Sequence, residues 1–115
     1  MISKLACVIF SGMVMAISGC SYKKDIPATD DCAGVVISYA GQVKPIFENT
    51  CAVTGCHNAT STNKGGPFTT YALIKNKALT IKQQVVNGIM PKGSSLTAAQ
   101  IKAIRCWVDS DAPDN

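Results

Sequence analysis

The sequence predicts one small all-α domain with extended loops. Three observations favour this fold class. Apolar residues recur at helical spacing in several segments, no long stretch alternates apolar and polar residues as a strand would, and Gly, Pro, Ser and Asn gather between the periodic segments. A chain of 115 residues has room for one small domain, so a large multidomain enzyme is excluded.

An export signal precedes the domain. Lys4 carries one positive charge, and residues 5–17 form an uncharged run too short to span a bilayer as a helix. The run ends in Ile17-Ser18-Gly19-Cys20, which resembles the lipobox of bacterial lipoproteins, where a peptidase cuts before an acylated cysteine. The resemblance implies a signal peptide over residues 1–19 and a lipid on Cys20. An ordinary signal peptide cut at about the same point is the alternative.

Residues 20–34 are predicted to be a flexible tether, because they are polar and poor in apolar side chains. Acyl chains on Cys20 would hold the protein on its membrane, since each buried methylene contributes about 0.8 kcal/mol. Ser21, directly after the cysteine, resembles the sorting pattern of outer-membrane lipoproteins. We therefore expect an exported lipoprotein facing the periplasm or the cell surface, on the outer membrane rather than the inner one, with its domain over residues 35–115.

The first helix of the domain is predicted from about residue 39 to residue 50, because Val43, Ile46 and Phe47 recur at helical spacing. The stretch before it, residues 35–37 (Val-Val-Ile), is short and β-prone. A segment rich in Asn, Thr, Ser and Gly follows the helix and is predicted to be a loop.

Two short helices are predicted in the middle of the domain. Thr69 or Thr70 can cap a helix over residues 71–74 through its hydroxyl oxygen. The next helix begins at about Thr80 and ends at Gly88, a residue type that closes helices because it adopts positive φ without strain.

The last helix has the clearest start. Thr97 and Gln100 have the spacing of a capping box, and Leu96 and Ile101 occupy the two positions of a hydrophobic staple. Both patterns begin the helix after Thr97. The sequence Ala-Pro at residues 112–113 is expected to end it, after a buried stripe formed by Ile101, Ile104, Trp107 and Val108.

Large apolar side chains are few between residues 33 and 112, and the loop over residues 58–67 contributes almost none. A domain this small has little stability to spare. We therefore expect a disulfide, a metal or a bulky prosthetic group to supplement the core.

The sequence Cys51-Ala-Val-Thr-Gly-Cys56-His57 follows the first predicted helix. The usual attachment signature of c-type haem is C-x-x-C-H, in which two cysteines bond the haem and the adjacent histidine binds the iron. Four residues separate the cysteines here instead of two. This spacing resembles a variant of some multihaem cytochromes, in which the extra residues loop out and the Cys-His step is retained.

A second axial ligand for such an iron is commonly the thioether of methionine. The chain after the predicted signal has one methionine, Met90, and one histidine, His57. Met90 lies in the segment 87–91 (Asn-Gly-Ile-Met-Pro) between two predicted helices. A gap-filling role in the core is the alternative for this residue.

From about residue 36 to residue 115, the chain resembles a small class I cytochrome c domain of the kind found in bacterial secreted lipoproteins. The shared features are a helix that ends in the haem motif, a glycine-proline loop, a Met-Pro loop and a final helix with an aromatic residue. The resemblance implies an all-α, cytochrome c-like domain with extended loops around one covalently bound haem c. The longer spacing and an extra pair of cysteines depart from the family pattern.

The resemblance also implies roles for individual residues. Cys51 and Cys56 would form thioether bonds to the haem, with His57 as proximal and Met90 as distal iron ligand. Pro67 matches the loop proline whose carbonyl accepts the second ring N–H of the histidine, although a simple turn would equally explain Gly-Gly-Pro.

Tyr71 and Trp107 are the aromatic residues expected to pack on the porphyrin or to donate hydrogen bonds to its propionates. Core packing is the alternative for both.

Two cysteines remain, Cys32 and Cys106. An even remainder in an exported protein favours a disulfide, which would close a loop of about 75 residues and contribute roughly 4 kcal/mol on the chain-entropy model. Two separate buried thiols are the alternative.

A structural zinc site of an adaptor module is the rival from a different class, with ligands among Cys32, Cys51, Cys56, His57 and Cys106. A thiol-disulfide oxidoreductase has weaker support, because no C-x-x-C motif lies near a βαβ pattern. A haem-based sensor, or a subunit docked on a larger oxidase or dehydrogenase, remains open within the haem class.

We expect a single-electron carrier rather than an enzyme, because two axial ligands leave the iron no open position for a substrate. Lysines and arginines are scattered singly, so nucleic acid is not an expected partner. The excess of basic over acidic residues in the domain could steer an acidic redox protein towards the haem, although a solvated surface explains it equally. The remaining expectations are a membrane contact through the lipid anchor and a monomeric state.

Overall fold

The structure, a computed structural model, describes residues 31–115, and this part of the chain is all-α. These residues contain no strand, which confirms the prediction of an all-α fold class. The signal peptide, Cys20, Ser21 and the tether up to residue 30 lie outside the described residues. Among the helices described, none has the length and apolar character needed to cross a membrane. The helices are α1, built from the consecutive segments Tyr39–Val43, Lys44–Ile46 and Phe47–Cys51, then α2 (Tyr71–Asn76), α3 (Ala78–Val86) and α4 (Ala98–Asp109).

Helix α1 confirms the first predicted helix and buries the predicted face of Val43, Ile46 and Phe47. Its first and last segments are π-helical, and the final turn closes with the Ala52 N–H donating to the Phe47 carbonyl at 2.7 Å. Such wide turns are rare and occur frequently at functional sites. The last residue of this wide turn is Cys51. The β-prone residues 35–37 before the helix form no strand.

Both middle helices are confirmed, with boundaries set by local hydrogen bonds. Thr70, rather than Thr69, caps α2, because its side-chain oxygen accepts from the Leu73 N–H at 3.4 Å. Helix α3 begins at Ala78, two residues before the expected start. At its end Gly88 has a φ of +67°, and the N–H groups of residues 88 and 89 donate to the carbonyls of residues 85 and 84. This pairing is a Schellman motif, as the glycine predicted.

Helix α4 has the predicted capping box, with hydrogen bonds in both directions between Thr97 and Gln100. The C-terminal end of α4 is closed by residues other than glycine. Asp111 and Ala112 have positive φ values of +65° and +46°, and the Ala112 N–H donates to the Trp107 carbonyl at 2.8 Å. Aspartate tolerates this conformation better than most non-glycine residues, so the helix closes without glycine just before Pro113.

The core lies where α1, α3 and α4 meet. Within the described residues it contains no buried polar side chain. The loops over residues 52–67 and 87–97 contribute no buried residue to it. The largest fully buried side chains are Trp107, Phe47, Ile74, Ile104, Val43 and Cys106.

Part of the predicted tether is bonded to the helical domain. Residues 31–34 were assigned to the tether, but Cys32 forms a disulfide with Cys106 of α4, with the two Cα atoms 5.1 Å apart. Asp31 also pairs with Arg105 and with Lys102 on the same helix. These long-range bonds join residues 31 and 32 to α4, so both residues belong to the packed structure.

Candidate functional site

The two cysteines of the motif are held in a closed loop after α1. The His57 N–H donates to the Cys51 carbonyl at 2.9 Å, so the four residues between the cysteines form a turn that returns the chain to the helix end. Within that turn the Cys56 N–H donates to the Val53 carbonyl at 3.0 Å, and Gly55 has a φ of +80°. Cys51 and Cys56 are free, half-buried thiols.

The pKa of the Cys51 thiol is raised from 9.0 to about 11, chiefly by burial and to a smaller extent by the neighbouring Cys56. The charged thiolate is disfavoured because it would lose hydration at this position. Cys51 is therefore a neutral thiol at neutral pH.

The ring of His57 is oriented by one backbone hydrogen bond. Its Nδ1 atom lies 2.7 Å from the carbonyl oxygen of Gly66. A carbonyl oxygen can only accept, so Nδ1 carries the proton, and in neutral histidine the lone pair is then on Nε2. This arrangement is typical of histidines that bind a metal through Nε2, since the second bond fixes the tautomer and strengthens the ring as a donor.

The acceptor differs from the predicted one by a single residue. The family resemblance implied the carbonyl of Pro67 for this role, with a simple turn as the alternative, and that implication is wrong, because the Gly66 carbonyl occupies the position. Gly65 and Gly66 have φ values of +106° and +78°, so the chain turns before the proline. Only glycine adopts such values readily, and the carbonyl that reaches His57 belongs to Gly66.

Phe68 was not among the residues selected from the sequence. Its N–H donates to the His57 carbonyl at 2.9 Å, and its ring stacks on the imidazole with centroids 4.2 Å apart and planes inclined by 26°. Phe68 also contacts the core. Its ring centroid lies 5.9 Å from that of Phe47, and the planes of the two rings are inclined by 89°. An aromatic residue directly after Gly-Gly-Pro is the signal that could have indicated it.

Met90 is positioned by α3 rather than by the histidine loop. It is half-buried, and its N–H donates to the Gln84 carbonyl at 3.1 Å, directly after the turn at Gly88. None of the hydrogen bonds of residues 31–115 joins Met90 to His57. Both residues lie in the two loops that contribute no buried residue to the core, and both residues are partly accessible.

Tyr71 and Trp107 belong to an aromatic cluster of the core. The Trp107 N–H donates to the Pro113 carbonyl and the Tyr71 hydroxyl to the Ala112 carbonyl, each at 2.8 Å. The ring of Tyr39 stacks on Trp107 at 5.5 Å. Both polar groups are thus engaged with backbone, so their expected hydrogen bonds to propionates are not supported. Contact of either ring with a haem stays a prediction.

The disulfide changes the set of available metal ligands. In the described part of the chain, one group of at least three His, Cys, Asp or Glu has its ligand atoms within 4.8 Å of one another, namely Asp31, Cys32 and Cys106. The two sulfurs of this group are bonded to each other as a disulfide, and the carboxylate of Asp31 forms an ion pair with Arg105. Cys51, Cys56 and His57 do not converge into such a group.

Two depressions of about 390 Å³ each are found on the surface. One lies at the junction of α2 and α3 beside Lys75 and Lys77, and the other lies along α4 beside Lys102 and Arg105. Neither is lined by the residues of the cysteine motif or by Met90.

Comparison with models of protein families, with curated proteins and with solved structures finds no match for this chain. A function therefore has to be inferred from its own residues and contacts.

Proposed function

We propose that this protein is a membrane-anchored c-type cytochrome that carries single electrons. One haem would be bound covalently through Cys51 and Cys56, with His57 and Met90 as iron ligands and Cys20 as the lipid-bearing residue. The observation that carries the proposal is the hydrogen bond from Nδ1 of His57 to the Gly66 carbonyl, at 2.7 Å. It leaves Nε2 as the donor atom of a histidine that directly follows a free cysteine.

The residues present fit this group. Thioether bonds to a haem need two unpaired cysteines, and Cys51 and Cys56 are free and half-buried. Axial ligation needs an oriented imidazole, which the hydrogen bond to Gly66 and the stacking on Phe68 supply. A thioether donor is provided by Met90, whose backbone is held by the closing turn of α3.

Bound haem would supply one-electron redox chemistry at its iron, while the protein supplies the ligands and the surrounding side chains. With both axial positions occupied, no position is left for a substrate, so we assign no catalytic residue. The described part of the chain carries Lys64, Lys77 and Lys92 on exposed positions, and these charges would favour an acidic protein as redox partner.

A structural zinc site has less support. Zinc prefers four ligands, and thiolate sulfurs bind it at about 2.3 Å, which requires the ligand atoms to lie close together. The disulfide removes Cys32 and Cys106 from the ligand set, and the three remaining residues do not form a compact cluster. The neutral Cys51 thiol would also have to lose its proton against a raised pKa.

Expression of the full chain with an export and haem-ligation system tests the proposal. We expect a red protein, a pyridine haemochrome spectrum of a c-type haem and an intact mass increased by one haem. Cys51→Ala and Cys56→Ala should each remove one thioether bond, and the double variant should lose covalent haem. Leu79→Ala, which alters a side chain that is 73% exposed, is the matched control. A colourless parent protein whose mass includes no haem would refute the proposal.

The ligand role of Met90 is tested separately. The oxidised parent should show a weak absorption band near the red end of the spectrum, and Met90→Ala should lose it while keeping covalent haem. Persistence of the band in Met90→Ala would exclude Met90 as its source, and absence of the band in the parent would exclude Met90 as the ligand and favour a haem-based sensor with an open iron position. Mass spectrometry of the mature N-terminus, in the parent and in Cys20→Ala, decides whether a lipid is attached there.

A further inference from the structure

We propose that Phe68 is a positioning residue that fixes the plane of the His57 imidazole and so directs Nε2. The two rings stack at 4.2 Å with an inclination of 26°, and the backbones of the same two residues are joined by a hydrogen bond of 2.9 Å. The inference rests on the proposed function in one respect, because it assumes that Nε2 is the atom that binds iron. The ring contact itself is a property of the chain alone.

The hydrogen bond to Gly66 cannot fix the ring without help. It restrains one ring nitrogen, but the torsion that sets the plane of an imidazole is broad and roughly two-fold. A single hydrogen bond tolerates a range of N–H···O angles, so a ring held at Nδ1 alone can still turn part of the way about its Cβ–Cγ bond. Stacking against one face of the ring limits this remaining freedom, and in the described structure Phe68 stacks on the imidazole in this way.

Phe68 can hold the imidazole because it is itself held by the core. It is 9% exposed, and Phe47 of α1, which is 1% exposed, meets its ring at nearly a right angle. The series His57, Phe68 and Phe47 therefore connects a partly accessible imidazole to a fully buried side chain of α1. The same helix ends at Cys51, so its packing fixes the position of the first thiol as well.

Gly65 lies beside both rings. A Cβ atom added at this position would lie 3.6 Å from the Cε1 atom of His57 and 3.6 Å from the ring of Phe68. A side chain at residue 65 would therefore contact the imidazole at the carbon between its two nitrogens and would also contact Phe68. Aromatic pairs contribute about 0.5–1.5 kcal/mol beyond the area that they bury, which corresponds to about a 2- to 10-fold restriction of ring opening.

The test uses the exported full chain with its haem and compares the parent with Phe68→Leu and Phe68→Tyr. Nuclear magnetic resonance of the reduced protein measures the exchange rate of the His57 Nδ1 proton. Electron paramagnetic resonance of the oxidised protein measures the spread of g-values, which depends on the orientation of the ligand plane. The exchange rate and the g-values both report the orientation and mobility of the His57 imidazole, which a test for folded protein alone would not measure.

In Phe68→Leu we expect about 2- to 10-fold faster proton exchange and broadened g-values, because leucine keeps most of the volume but has no flat face. Phe68→Tyr keeps the ring and should retain the parent values, as should the surface control Leu79→Ala. Unchanged exchange and unchanged g-values in Phe68→Leu would overturn the proposal while the cytochrome assignment stands.

The parent protein provides a measurement that does not depend on the folding of any variant. It should show a single His57 ring form, protonated at Nδ1, with slow exchange. Exchange as fast as that of a free imidazole would overturn the proposal. If the exported chain carries no haem, the proposed function fails, and the same proton measured in that chain still decides the role of Phe68.

Discussion

The side chain of Asn115 accepts a hydrogen bond from the backbone N–H of Tyr39 at 2.7 Å. The main-chain oxygen of Asn115 accepts a second one from Ala40 at 2.9 Å. Helix α1 therefore begins against a residue that is 76 positions away in the chain. The first N–H groups of a helix have no partner within it, so this contact satisfies donors that would otherwise depend on water or on Ser38.

Asn115→Ala should lower the free energy of unfolding by about 1–2 kcal/mol, because it removes the side-chain acceptor of the Tyr39 N–H at the start of α1. Urea unfolding followed by circular dichroism measures the effect. Asn76→Ala, at an exposed position at the end of α2, is the matched control and should change stability by less than about 0.5 kcal/mol. Equal effects of the two substitutions would contradict the capping role.

Gly66→Ala should destabilise the protein by about 1–2 kcal/mol, because Gly66 has a φ of +78° and a side chain is strained there. A Cβ atom at this position would meet nothing within 4 Å, so the cost is conformational and not steric. Gly41→Ala is the control. Gly41 lies inside α1 with a φ outside the positive range, and a Cβ atom there would come no closer than 3.4 Å to its nearest neighbour, the Ser38 hydroxyl oxygen, so alanine should be neutral or stabilising by up to about 1 kcal/mol.

Thermal unfolding of both variants measures the difference. If Gly66→Ala is as stable as the parent, the loop does not depend on the positive φ of this residue, and the carbonyl of Gly66 is not fixed beneath His57.

Removal of the disulfide by the double substitution Cys32→Ala and Cys106→Ala should cost about 4 kcal/mol, because the bond closes a loop across a separation of 74 residues. Guanidinium unfolding of the double variant and the parent measures the loss. The single variant Cys32→Ala, compared with the double one, separates loss of the bond from the small cavity left at the fully buried Cys106. A loss below about 1 kcal/mol would show that the loop is restrained by other contacts.

The haem-free chain should lose stability as the pH rises from about 9 to about 11. The pKa of the Cys51 thiol is raised in the folded protein to about 11, so between these values the unfolded chain releases a proton that the folded chain keeps. The unfolded state is then favoured as the pH rises. The contribution of the Cys51 thiol to the free energy of unfolding is fully present below pH 9 and is lost as the pH approaches 11. Cys51→Ala should flatten the profile in this range.

A second measurement on the same chain uses thiol alkylation at pH 8. The raised pKa of Cys51 should reduce its thiolate fraction about 100-fold relative to an ordinary cysteine. Alkylation in denaturant provides the reference rate. Equal rates for folded and denatured protein would contradict the effect of burial on Cys51.

The helices and their caps could be predicted from the sequence because their causes lie within a few residues. Thr97 and Gln100 form hydrogen bonds with each other across one turn. At the end of α3, the N–H of Gly88 donates to the carbonyl three residues before it, and the N–H of the next residue donates to the carbonyl five residues before that residue. The apolar face of α1 follows from the spacing of Val43, Ile46 and Phe47 alone. The cysteine motif is likewise local, so Cys51, Cys56 and His57 could be selected from seven consecutive letters.

Other features were decided by tertiary structure, because their partners are distant in the chain or depend on how it reverses. The carbonyl that reaches His57 belongs to Gly66 and not to Pro67, since two consecutive positive φ values set where the loop turns. Phe68 lies on the imidazole only once that turn has formed. The sequence alone determined which side chains could serve as ligands, and the packing of the loop against α1 determined which atoms orient them, because spacing specifies periodicity but not the direction of a backbone carbonyl.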